Sequence, residues 1–248
     1  MGMFVLQIGN AVINEETDSL GMYDFFWTHA LVSDETIKDM HKYCNFSPEA
    51  TTQPKKCIDA NDEVGTDLSS LDIYSIYAPL CFSSNHTDKP KKASVLEFDP
   101  CSDNYIDAYL NTPAVQEALH ANVTRLTRPW SACTEVITGW TDSPSTILPL
   151  LKEFMAKGLR VWVFSGDVDG RIPVTSTRYS LNTLRLPVKS KWRPWFVENE
   201  VGGYTVVYKG DITLATVRGA GHEVPSYQPM KALALVQSFL LGEPLPTS

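Results

Sequence analysis

Two short runs, residues 159–164 (Leu-Arg-Val-Trp-Val-Phe) and 212–217 (Ile-Thr-Leu-Ala-Thr-Val), each break directly into a loop of small residues. The first reads as a buried strand by its length and β-branched content, and the second reads as a strand of the alternating tail. Ser165, Gly166, Asp167, Val168, Asp169 and Gly170 follow the first run; Arg218, Gly219, Ala220, Gly221 and His222 follow the second. Glycine lets a backbone turn sharply and lets a substrate come close. In sheets built with helices, functional groups gather at the carboxyl ends of strands. The pattern therefore predicts an α/β sheet with an acid and then a histidine on post-strand loops.

The remaining elements are expected to support that sheet. Residues 4–8 read as another strand, closed by a Gly9-Asn10 turn and followed by a polar loop. A helix is expected over 23–31 and another from Ser33, an N-cap whose neighbours Asp34 and Glu35 suit the positive end of a helix dipole. Periodicity is poor between 46 and 107, which predicts irregular structure with a mobile loop around Ser84 to Ala93. Thr112-Pro113 predicts a helix start, with Val115, Leu119 and Val123 at helical spacing beyond it. Residues 145–157 read as a helix stopped by Gly158, and 204–208 as a strand joined to 212–217 by a tight turn at Lys209-Gly210-Asp211. A closing helix over 228–241 is expected to place Met230, Leu233, Val236, Phe239 and Leu240 on one face.

Charge and cysteine usage narrow the function classes. The 248 residues carry 21 basic against 29 acidic side chains, a net charge of −8. That argues against nucleic acid or an anionic membrane as partner, since both reward clustered Lys and Arg. No run of 18 apolar residues occurs, so no bilayer span is expected. The apolar start, residues 1–8, has no basic flank or small-residue cleavage site and makes a poor signal peptide. Against this stand the acceptor triplets Asn85-His86-Thr87 and Asn122-Val123-Thr124, which point to the secretory pathway. The five cysteines Cys44, Cys57, Cys81, Cys101 and Cys133 lack zinc spacing, so disulfides are expected and a metal site is not. Five is an odd number, and one cysteine is left over.

Acid then histidine is the chain order of the last two members of a Ser-Asp-His triad in an α/β-hydrolase fold. Such a pair needs a buried carboxylate to set the imidazole tautomer, and an imidazole to take and return the nucleophile's proton. Asp169 is preferred to Asp167 as the acid, because it lies further from the strand and is suitably spaced from Pro173. Asp167 is expected to bind loop amides. His29, His41, His86 and His120 lack this context.

At these residues the chain resembles the serine carboxypeptidases, in particular the plant serine carboxypeptidase-like group. The resemblance rests on Ile8-Gly9-Asn10-Ala11-Val12-Ile13-Asn14 with Glu16-Thr17-Asp18, on Ser165-Gly166-Asp167-Val168-Asp169 with the stretch from Pro173 to Ser180, and on Arg218-Gly219-Ala220-Gly221-His222-Glu223-Val224-Pro225. It implies Asp169 and His222 as triad members and Glu223 as a helper in gripping the substrate's terminal carboxylate. It implies no cofactor, a peptide or protein substrate with a free C-terminus, a secreted or vacuolar location, and a family that includes homodimers. The family nucleophile lies in Gly-Glu-Ser-Tyr-Ala-Gly, and no Gly-x-Ser-x-Gly occurs in this chain. The resemblance therefore covers the C-terminal portion of the fold only: part of the sheet, plus a cap insertion at about 20–110. It further implies that Cys44 pairs with Cys57 and Cys81 with Cys101, while Cys133 is left unpaired because its partner lies upstream. Peptidase and acyltransferase both occur in the group and both run through an acyl-enzyme. A third reading is a non-catalytic product acting as a binding or regulatory protein.

Overall fold

The computed structural model describes residues 5–82, 99–133, 136, 139 and 141–248. In chain order the elements are β1 (Val5–Gly9), α1 (Glu15–Thr28), α2 (Asp34–Tyr43), α3 (Lys55–Leu68), α4 (Ser102–Leu110), α5 (Pro113–Ala118), α6 (Leu148–Ala156), β2 (Arg160–Gly166), α7 (Val174–Asn182), β3 (Val188–Val197), β4 (Glu200–Tyr208), β5 (Ile212–Val217), α8 (Val224–Tyr227) and α9 (Pro229–Leu241). Two units are distinguished, one comprising residues 1–77 with 144–248 and the other residues 78–143. The loop expected around Ser84 to Ala93 and the acceptor Asn85 lie outside the described residues.

The larger unit is built on a five-stranded sheet of order β1-β2-β5-β4-β3. β1, β2 and β5 run parallel, and β4 and β3 add an antiparallel extension. Every residue of β5 is buried, as expected for a parallel strand covered on both faces. Gly9 pairs with Phe164, and Gly166 pairs with Val217. This register brings the carboxyl ends of three parallel strands to one edge, so the segments after Gly9, Gly166 and Val217 emerge together. Alternation divides β2 between two layers. Val161 and Val163 join Leu151 of α6 and Leu181 of α7 in one core. Trp162 points to the other face, where its ring meets Phe239 of α9 at 5.6 Å. A second core, Phe25, Phe26, Val32, Val64, Ile76 and Val168, joins the helical insertion to the loop after β2.

Several expectations are corrected. The helix placed at 23–31 begins at Glu15, because Asp18 folds back to accept the Ile13 and Asn14 N–H groups at 2.6 and 2.9 Å. The stretch 46–107 is not irregular throughout. It contains α3, which buries Cys57, Ala60 and Val64 and turns its acidic residues Asp59, Asp62, Glu63 and Asp67 to solvent. It also contains most of α4. The helix at Pro113 ends at Ala118 instead of reaching Val123, and His120 and Asn122 follow with left-handed backbones. β3 was not anticipated: it carries Lys189, Lys191, Arg193 and Pro194, the residues that protect an edge strand and mask its pattern. The Ser33 cap stands as expected, its Oγ accepting the Thr36 N–H at 3.0 Å.

The closing helix turns a different face to the core. α9 buries Ala232, Leu235 and Phe239, while Met230, Leu233 and Leu240 are exposed. A helix apolar on most of its circumference leaves periodicity unable to choose a face. Cys44 is joined to Cys57, and Cys81 to Cys101, across separations of 13 and 20 residues. Each closed loop contributes about 3 kcal/mol in the chain-entropy description. Cys133 carries no disulfide and is exposed.

The orientation of α9 is testable. Leu235, 1% exposed, should cost about 2–5 kcal/mol on truncation to Ala. Leu233, 50% exposed, should cost less than about 0.5 kcal/mol. Urea unfolding of the two variants measures this, and the opposite ranking would reverse the assignment of the face.

Candidate active site

Three main-chain segments interlock at the carboxyl edge of the sheet. The loop after β2 is tied to the loop after β5 by Asp167 N–H to Val217 O at 3.2 Å and Val168 N–H to Ala220 O at 3.1 Å. Asp167 Oδ1 accepts the Gly219 N–H at 2.6 Å, so this carboxyl binds the histidine loop as expected. Residues 73–76, arriving from the helical insertion, pin both loops. Gly170 N–H donates to Ile73 O at 3.0 Å, Ile76 N–H to Val168 O at 3.1 Å, and His222 N–H to Tyr74 O at 2.7 Å. Two glycines make this possible. A Cβ on Gly166 would lie 2.3 Å from Ala220 O, and one on Gly221 would lie 2.1 Å from Tyr74 O.

At the centre stands Asp169, with 0% exposure. Its Oδ1 accepts the N–H groups of Arg171 at 2.7 Å and Ile172 at 3.2 Å. Its Oδ2 accepts Asn10 Nδ2 at 2.7 Å and His222 Nδ1 at 2.9 Å. A carboxylate only accepts, so the proton of neutral His222 sits on Nδ1 and Nε2 keeps a free lone pair. The imidazole is 28% exposed, its ring leaning on Tyr74 at 5.4 Å between centroids. The hydrogen bond to Asp169 raises the proton affinity of His222 above the ordinary histidine value. Burial opposes the rise, the Asp169 and Glu223 charges add to it, and Arg171 works against it. The result is a partly exposed base whose tautomer is dictated by a buried acid.

The expected residues distribute as follows. Asp169 and His222 are in direct contact. Glu223 is the exposed N-cap of α8, next in sequence to His222. Asn122 is exposed in the smaller unit. His41 forms another histidine–carboxylate contact, Nε2 to Asp24 Oδ1 at 2.6 Å, but its side chain is 47% exposed. Asn10 and the 73–76 segment were not anticipated. Asn10 did carry a signal, since it directly follows a parallel strand, as Asp167 and Arg218 do. Among the described residues no group of three or more His, Cys, Asp or Glu side chains converges as a metal site would require.

The His222 shift has a consequence for stability. A histidine whose folded-state proton affinity is raised stabilises the fold fully below its unfolded pKa of about 6.5. That contribution is lost as pH rises through the folded value. Stability of the wild-type chain measured against pH should show this decline above about pH 6.5, and His222→Ala should remove it while leaving the acid-limb behaviour in place. A decline of equal size in the variant would assign it to another group.

The sequence matches the profile of the serine carboxypeptidase family over residues 3–242. It is 55% identical over 241 residues to Serine carboxypeptidase-like 40 of Arabidopsis thaliana, covering 96% of this chain and 48% of that protein. It is 46% identical over 255 residues to Serine carboxypeptidase 24 of the same organism, covering 97% and 54%. The chain thus spans about half the length of the curated relatives it matches. In fold it resembles Kex1Δp, a prohormone-processing carboxypeptidase from Saccharomyces cerevisiae, with a TM-score of 0.69 at 17% identity over 96% of this chain and 55% of that one. The sheet with its flanking helices is therefore that of the α/β-hydrolase fold, and the chain belongs to the serine carboxypeptidase family.

Proposed function

We propose that Asp169 and His222 are the acid and base of a serine-type carboxypeptidase, acting on peptides or proteins with a free C-terminus. The observation that carries this reading is the 2.9 Å contact from His222 Nδ1 to a wholly buried Asp169, which leaves Nε2 as the base. Nε2 takes the proton of a serine hydroxyl as it attacks the scissile carbonyl, and returns it to the leaving amine. Water then cleaves the acyl-enzyme by the same relay. Asp169 holds the tautomer and stabilises the imidazolium between the two transfers. Glu223, exposed beside His222, is assigned to the substrate's terminal carboxylate, where its protonated form would donate a hydrogen bond.

The nucleophile is assigned to the family's Gly-Glu-Ser-Tyr-Ala-Gly segment, which this sequence does not contain. We therefore read the 248-residue polypeptide on its own as inactive. The two disulfides favour an oxidising compartment, and secretion or vacuolar delivery is the location we assign. Among the described residues no helix is long and apolar enough to cross a membrane.

Two experiments test this reading. A fluorophosphonate probe should leave the purified chain unlabelled, and labelling lost in His222→Ala would overturn the inactivity by exposing another nucleophile. Fusion, ahead of this chain, of a serine carboxypeptidase segment carrying the family's Gly-Glu-Ser-Tyr-Ala-Gly should release C-terminal residues from blocked dipeptides. In that fusion Asp169→Asn should lower kcat by about 10⁴-fold through the wrong imidazole tautomer. Undiminished turnover would remove Asp169 from the mechanism.

A further inference from the structure

The most informative group left unassigned is Asn10. It lies 159 residues from Asp169 in sequence, is 6% exposed, and places its amide between the ends of β1 and β2. Both ends of that amide are used. Oδ1 accepts the Gly166 N–H at 3.3 Å, and Nδ2 donates to Asp169 Oδ2 at 2.7 Å. This fixes its orientation, because a flipped amide would set an oxygen against the carboxylate and an N–H₂ against the Gly166 N–H. The backbone is committed as well. Asn10 N–H donates to Phe164 O at 3.0 Å, extending the β1–β2 pairing one residue past the strand. Its φ of 44° lies in the left-handed region, which asparagine tolerates better than most residues.

We infer that Asn10 is a positioning residue for the catalytic pair: its amide pins Asp169 Oδ2 against the imidazole and, by sharing that oxygen, limits how strongly His222 holds its proton. The inference rests on the proposed reading of Asp169 and His222 as acid and base. Oδ2, on a side chain with no exposure, divides its electron density between two N–H donors, so each hydrogen bond weakens the other's claim on it. The charged groups acting on His222 are Asp169 and Glu223, which favour its protonation, and Arg171, which opposes it. Asn10 is uncharged and works only through the oxygen it shares. A general base must also give its proton back, and an imidazole bound too firmly to its acid does so slowly. Asn10 thus moderates the base that Asp169 strengthens.

The test is an NMR titration of His222 in the full 248-residue chain, read without substrate or nucleophile. In Asn10→Ala the competing donor is gone, and the His222 midpoint should rise by about half a pH unit or more. Asn10→Asp keeps the shape of the side chain and can report if the alanine variant does not fold. With a carboxylate in place of the donor, its midpoint should rise further. A midpoint equal to wild type in either folded variant would overturn the inference. Failure is distinguishable from failure of the proposed reaction. A shifted midpoint with no hydrolysis by the fusion enzyme would leave Asn10's positioning role standing and remove the reaction. Active fusion enzyme with an unmoved midpoint would remove the role of Asn10 alone.

Discussion

A carboxyl group closed off completely from water must find its hydrogen bonds inside the protein, and Asp169 finds four. Left without them, burial would cost several kcal/mol. Those donors come from its own loop, from the end of β1 and from the loop after β5, so a single side chain dictates where three segments stop. The parallel register makes this feasible: with Gly9 level with Phe164 and Gly166 level with Val217, all three segments start from one edge. The interior below, from Val161 and Val163 to Leu214, packs under that edge.

The helices α1 to α3 have a part in the same arrangement. α2 and α3 are stapled by Cys44–Cys57 and share the small core of Ile37, Met40 and Ala60. Beyond α3 the chain passes through residues 73–76, whose carbonyl and amide groups bind the loops after β2 and β5. This segment is therefore joined to the loops that carry Asp169 and His222 by main-chain hydrogen bonds as well as by the Phe25, Ile76 and Val168 contacts. Loosening this helical segment would loosen the His222 imidazole, since Tyr74 both receives the His222 N–H and supports its ring.

What the sequence made legible follows the physics of each element. β2 could be read from its apolar, β-branched run, and β5 as a strand of the alternating tail. The loops after them could be read because small residues and an isolated acid or histidine stand out there. β3 could not, since an edge strand is guarded by the lysines and proline that signal a loop elsewhere. α9 was found as a helix but not oriented, because Met230, Leu233 and Leu240 repeat as regularly as Ala232, Leu235 and Phe239. Asn10 read as half of a turn with Gly9. Its role depends on a partner 159 residues away, and no local pattern encodes that distance.

The backbone-to-backbone character of the interlock says where this site is vulnerable over evolutionary time. Ile73, Tyr74, Val168 and Ala220 contribute carbonyls or amides that almost any residue supplies, so these hydrogen bonds in themselves place no demand on the side chain. Gly166 and Gly221 are not free, because a single added carbon would strike a carbonyl oxygen of the neighbouring segment. The reactive groups are what a chemist would notice first, yet the geometry that makes them reactive is recorded in two residues that have no side chain at all.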